Sequence, residues 1–301
     1  MRWPIAAFAA VLASALVAGF GDGASAQSAP ADPVRALKKQ MAAHGGVRFS
    51  QVAVDTTEDR SDVPSWMTKR KSKITFRSKG AVQFGGGKVT ASDVTSRNSL
   101  IGSDESVRLV TFTGRSYMSG WPVQPLPAGK EWVLLDDDTT RPEMDSGRIR
   151  LADPATLRAV LATTTAKRPA GRYDDTRTTL YEGKITFGEL SKAYPGFRLL
   201  TDGKPTAKDL RIEVSWRLWI GEDQLVRRAW SSWSEPLLKK IDLYVSSVTD
   251  VRLTGWGTAP GVHAPSGDQV VKADGPVPDF TIRTLQQMSE DLGSQNHPAS
   301  Y

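Results

Sequence analysis

Apolar residues fall two apart in four early stretches of the chain: VRFSQVAV at residues 47–54, KITF at 73–76, AVQF at 81–84 and VRLVTFTGRSYMSG at 107–120. A period of two places alternate side chains on opposite faces of an extended strand. With Gly85-Gly86-Gly87 and similar breaks between them, the stretches predict a meander of antiparallel strands. The longest alternation comes later. Leu210, Ile212, Val214, Trp216, Leu218 and Ile220 alternate with Arg211, Glu213, Ser215, Arg217 and Trp219, which predicts a strand with one wholly apolar face. GEDQ at 221–224 is its turn. On the return strand Trp230 and Trp233 are three apart and point to opposite faces, so each face of the hairpin carries two indoles. Further strands are expected at 176–187 and 241–257, giving roughly ten in all and no repeat of 20 to 50 residues.

Two segments carry a different period. In ADPVRALKKQMAAHGG, Asp32 stands as an N-cap before Pro33, Val34, Leu37 and Met41 share a helical face, and Gly45 is the stop. ADPATLRAVLATT repeats the device with Asp153 and Pro154, and sets Leu157, Val160 and Leu161 on one face. Both helices are short and amphipathic, so both must dock on the sheet. GELSKAYPG at 188–196 reads as a helical turn, and residues 279–292 as a third helix with Ile282, Leu285, Met288 and Leu292 inward. Three prolines confine residues 121–130 to a loop crossing between strands, after which Trp132 opens a new strand.

Composition changes the picture in three ways. Residues 1–26 have a basic start, an uncharged apolar middle and Ala24-Ser25-Ala26 before Gln27, the pattern of a secretory signal peptide, the alternative being an uncleaved membrane anchor. Residues 27–31 then form a linker, 32–271 the domain and 272–301 a tail. There is no cysteine, which excludes a disulfide framework and a lipobox anchor, so the expectation is a secreted, extracytoplasmic, envelope-associated protein that is not a lipoprotein. The net charge of +6 is spread out, apart from KRKSK at 69–73. That cluster reads first as the guard of a solvated strand edge, and second as a peripheral contact with an anionic membrane surface.

Enzyme chemistry finds little to stand on. The three histidines, His44, His263 and His297, are scattered, and no nucleophile-elbow, zinc-protease or phosphate-loop motif occurs. Asp136 to Asp138 and the pair Asp174-Asp175 have the acidity for calcium or for sugar hydrolysis, but adjacent aspartates on a strand point in opposite directions and are ordinary turn formers. The expectation is no catalytic residue, no metal, no cofactor and no nucleic-acid partner.

Two or three helices of about ten residues are enough to cover one face of a broad sheet but not to fill a deep concavity. A curved sheet lined with aliphatic and Trp side chains and partly plugged by helices leaves room for an apolar ligand. The order of a docked helix, a meander, the WPVQPLPAGKEWVLLD crossing, the DPATLRAVL helix, the IEVSWRLWIGEDQLVRRAW hairpin and a last strand into GWGTAPGVHAPSGDQVV resembles the LolA/LprG-type bacterial envelope proteins, which include the LppX/LprAFG lipoproteins. The resemblance implies a mainly β (α+β) fold: a single curved antiparallel sheet forming a half-barrel, its concave face closed by short amphipathic helices and holding lipid acyl chains. The chain departs from LprG-type members in lacking the lipobox cysteine. The expected function is to bind or carry a lipid or other amphiphilic small molecule, the alternative being an envelope sensor or protein-interaction module with a filled groove. A hydrolase ranks last. The expected groove residues are Val34, Leu37 and Met41, then Leu157, Val160 and Leu161, over a floor of Val214, Trp216 and Leu218, with Trp219 on the convex side.

Overall fold

The computed structural model describes residues 32–59, 71–99, 106–120, 126–136, 141–197, 199, 205–238 and 242–272. The expected signal peptide, the linker, the 279–292 helix and His297 lie outside them. The described chain is mainly β: one large, curved, open sheet of twelve strands with three α-helices. None of the described helices is long and apolar enough to cross a membrane.

The chain enters the sheet at its centre. After α1 (Pro33–Ala42), strands β1 (Gly46–Asp59), β2 (Lys71–Gly85), β3 (Lys88–Asn98), β4 (Val107–Phe112), β5 (Arg115–Gly120) and β6 (Trp132–Asp136) walk outward as the expected meander. The chain then crosses to the other side through a small hairpin, β7 (Asp145–Ser146) and β8 (Ile149–Arg150), and α2 (Pro154–Ala162). It walks back through β9 (Thr164–Tyr173), β10 (Thr176–Thr186), α3 (Phe187–Ala193), β11 (Glu213–Gly221), β12 (Val226–Leu238) and β13 (Leu243–Thr254), which pairs with β1. Finally β14 (Val270–Lys272) joins β6 in the sheet's one parallel pair. The edges are therefore β14 and β9.

Of KRKSK, Lys71–Lys73 open β2 and, among the described residues, pair with β1 alone, because the β2–β3 ladder starts only at Phe76; Lys69 and Arg70 lie outside the described residues. At one edge of the sheet stands β9, which carries Lys167, Arg168, Arg172 and Pro169 and is solvated along most of its length. Proline is tolerated there because an edge strand has amide groups with no ladder partner. The apolar strand expected from Leu210 starts only at Glu213. Thr206 and Asp209 cap each other, with the Thr206 amide 2.8 Å from the Asp209 carboxylate and the Asp209 amide 3.3 Å from the Thr206 hydroxyl. That reciprocal cap winds Asp209–Arg211 into a 3-10 turn.

Both predicted helix starts are present. Asp32 accepts from the amides of Val34 and Arg35 at 2.9 and 3.3 Å, and Asp153 from those of Ala155 and Thr156 at 3.1 and 3.2 Å. The GELSKAYPG turn is α3, begun by a capping box between Thr186 and Glu189.

Register separates the two faces of the sheet. Val47, Phe49, Val82, Val214, Trp216, Leu218, Val251 and Leu253 share a buried cluster with residues of α1, α2 and α3; their side of the sheet is called the inner face. A second, smaller cluster lies on the outer face, where Val262 packs with Ala91, Val110, Tyr117 and Trp132. The chain's two crossings thus use opposite faces: the first lies on the inner face and the return to β14 lies on the outer one.

Candidate functional site on the inner face

Alternation on β11 sends Val214, Trp216 and Leu218 inward, each at most 1% exposed. Above them Val34, Leu37, Met41, Leu157 and Val160 are buried in the same cluster, and Leu161 packs against it half-buried. All nine expected groove residues therefore belong to or pack against one buried cluster. Trp216 donates to the Thr163 hydroxyl at 3.1 Å, and its ring fits because Gly183 stands opposite it on β10, where a Cβ would collide with the ring and with the Thr163 carbonyl. Trp219 and Trp230 point outward. Trp219 meets Tyr173 edge-on at 6.1 Å and the Arg228 guanidinium at 4.6 Å, and Trp230 lies 4.9 Å from that of Arg217.

The inner face also holds a buried charged centre that the sequence reading did not find. On β12 the inward residues run Ala229, Ser231, Trp233 and Glu235, and Glu235 is 1% exposed. Its carboxylate accepts from Trp233 Nε1 at 2.8 Å and from Arg148 Nε at 3.1 Å, with a second, closer bond from Arg148 Nη2. The Arg148 guanidinium is enclosed by rings, 5.6 Å from Phe187, 5.8 Å from Phe197 and 5.6 Å from Trp233. Arg148 reaches this place because the β7–β8 hairpin lies flat on β12 and β13. The Ser231 hydroxyl donates to the Ser146 carbonyl at 2.9 Å, and Gly147 at φ +60° rests on Trp233 where any Cβ would strike the indole.

Asp55 on β1 faces the same centre and is paired in register with Ser247. Burial raises its pKa above the ordinary value, opposed by a hydrogen bond with Ser247 and the charge of Arg148 and reinforced by the charge of Glu235. Two carboxylates and one arginine thus share a low-dielectric region, where charges stay only when paired. Along the crossing segment a second acid is more strongly perturbed: burial, and then the charge of Glu143, push Asp145 up to about 7, and its Oδ1 has no hydrogen-bond partner.

From the helix-covered cluster, which holds Leu253 and Phe49 and against which Val94 packs, the inner face continues across the meander. Register aligns Leu253, Phe49, Gly80, Val94, Leu109, Met118 and Val133 in one apolar row over seven strands. Val94 and Leu109 are half-buried, and no side chain stands at Gly80, whose Cβ would meet the Phe49 ring. Beside it runs a polar row, Gln51, Ser78 and Ser96, with the two serine hydroxyls 2.8 Å apart.

The remaining candidates are dispersed. His44 and His263 are exposed and far apart in the chain. Asp174 and Asp175 form the β9–β10 turn with φ of 49° and 57°; Asp174 accepts from the Gly255 amide at 3.2 Å and lies 3.6 Å from Arg227. Asp136 ends β6, and Asp137 and Asp138 lie outside the described residues. Among the described residues no group of three or more His, Cys, Asp or Glu is placed to hold a metal ion. Compared with known proteins, the chain matches no family model and no curated protein significantly.

Proposed function

We propose that the protein binds and carries a lipid or other amphiphile against the inner face of its sheet, without catalysis. In this reading the curved sheet acts as a half-barrel of the LolA/LprG type. Helices α1, α2 and α3 close one end over Val214, Trp216 and Leu218, and the ligand occupies the part of the face beyond them. The observation that carries the reading is the apolar row from Phe49 to Val133 with the polar row Gln51, Ser78 and Ser96 beside it. An acyl chain laid across β1 to β6 would follow five strand spacings, about 24 Å, and each methylene it buries contributes about 0.8 kcal/mol. Its polar group would meet hydroxyls and the Gln51 amide. Export, which the pattern of residues 1–26 supports, would put such a carrier among envelope lipids.

The test is Leu109→Glu, which sets a charge on the floor of the row at a half-buried site. Organic extracts of the wild-type chain purified from a bacterial host should contain lipid, and those of the variant much less. Equal lipid in both, or none in the wild type, counts against the reading. A second reading, a sensor or interaction module with a filled groove, is favoured by the near-complete burial of eight of the nine helix and hairpin residues. It predicts lipid-free protein that captures a specific protein partner.

A further inference from the structure

The outer faces of β13, β1, β2 and β3 form a continuous field of positive charge. Register places Arg252, Ser50 and Lys79 in one row, Asp250, Val52, Arg77 and Arg97 in the next, and Val248, Val54 and Thr75 in the third. Arg48 stands one row beyond on one side and Lys73 on the other. Arg48, Lys73, Arg77, Lys79, Arg97 and Arg252 are all exposed, and among the described residues none is in an ion pair. The acids on these faces do not neutralise them. Asp250 holds Arg228 through two bonds, Asp93 holds Arg108 at 2.7 and 3.0 Å, and Glu58 lies at the far end of β1 with an interaction of its own.

Arg77 and Arg97 are directly opposed across β2 and β3, where like charges repel and destabilise the pair. A field with such a pair at its centre fits a surface that meets external negative charge. Its middle is apolar: Val52 and Val54 adjoin Val248, which at 38% exposure is the one large apolar side chain exposed among the described residues.

We infer that this outer face docks on an anionic lipid bilayer. Cations spread over four strands, about 5 Å apart between strands and 7 Å along them, match a plane of headgroups, and the valines meet the interface between them. Nucleic acid is disfavoured. Among the described residues, the rows from Arg48 to Lys73 hold no groove-entering element and no aromatic ring for base stacking, and the neighbouring Trp219 and Trp230 are occupied by Arg228 and Arg217. The inference is independent of the inner-face reading, because it rests on the opposite face.

The experiment is sedimentation of the full chain with vesicles of phosphatidylcholine alone or with phosphatidylglycerol. Binding should require phosphatidylglycerol and vanish in high salt. Arg97→Glu removes one cation and adds one anion, each worth about fivefold near a charged surface, so affinity should drop about 25-fold. The urea midpoint should not fall, because a carboxylate then faces Arg77. Lys184→Glu, at an ion-paired site on β10, should leave binding unchanged, and Val248→Ser should weaken binding to vesicles but not to heparin. Binding without preference for phosphatidylglycerol, or unaltered by Arg97→Glu, overturns the inference; so does heparin binding as tight as vesicle binding with no effect of Val248→Ser. Fatty-acid uptake, measured in parallel, separates a failure here from a failure of the carrier reading.

Discussion

Truncating Trp216 and Trp219 to alanine probes the assignment of the two faces, because the residues are three apart on one strand and differ in little but direction. Trp216 is 1% exposed, sits opposite Gly183 and donates to Thr163. Removing its indole deletes a large buried side chain, at about 3–5 kcal/mol, and leaves the Thr163 hydroxyl without that donor, about 1 kcal/mol more. Trp219 is half-buried on the outer face, and its losses are the edge contact to Tyr173 and the cation–π contact to Arg228, together about 1–2 kcal/mol. For a chain of this size a urea slope of about 2.5 kcal/mol per M converts these into midpoint shifts of roughly 1.6–2.4 M for Trp216→Ala and roughly 0.4–0.8 M for Trp219→Ala. Equilibrium unfolding followed by far-UV circular dichroism measures both and avoids the fluorescence of the remaining indoles. A larger shift at Trp219 than at Trp216 would refute the face assignment and the closed end built on it.

Two other perturbations test the charged groups. Glu235→Ala leaves Arg148, enclosed by Phe187, Phe197 and Trp233, without its carboxylate and should cost about 3–5 kcal/mol, whereas Arg148→Met combined with Glu235→Gln should recover most of that loss in urea midpoint. If the double variant is as unstable as the single one, the pair is not the reason for the burial. Asp145 holds its proton up to about pH 7 in the folded chain but releases it near its ordinary value of 3.8 when unfolded, so the stability it contributes is complete below that value and is lost as pH rises to about 7. Asp145→Asn should therefore gain on the wild type in melting temperature between pH 4 and pH 8, and a difference that does not change with pH would contradict this.

Local signals were legible where they were self-contained. The Asp-Pro starts of α1 and α2 each combine a cap with a fixed φ, and the β11 alternation is long enough to assign its faces without a partner. Strand β9 was not legible because an edge strand solvated on most positions has no apolar period, and its Pro169 argues against a strand until the edge is known. Strand β14 is three residues long and depends wholly on β6. The charged centre joins residues 87 positions apart, and such a pair has no local signature. One signal did exist: Glu235 lies two residues beyond Trp233, hence on the same inward face, and a carboxylate there requires a buried partner. The burial of the helix and hairpin residues expected to line a groove was legible because it follows from periodicity, but periodicity does not tell a packed core from a ligand-lined cavity.

The most direct test of the carrier reading is native mass spectrometry of the full chain, stripped of lipid and then titrated with oleic acid and with phosphatidylglycerol, alongside Leu109→Glu. The account predicts a saturable complex of one lipid per chain for the wild type that is absent or much weaker in the variant. Unmodified protein mass at all lipid concentrations, or complexes that Leu109→Glu leaves intact, would contradict it.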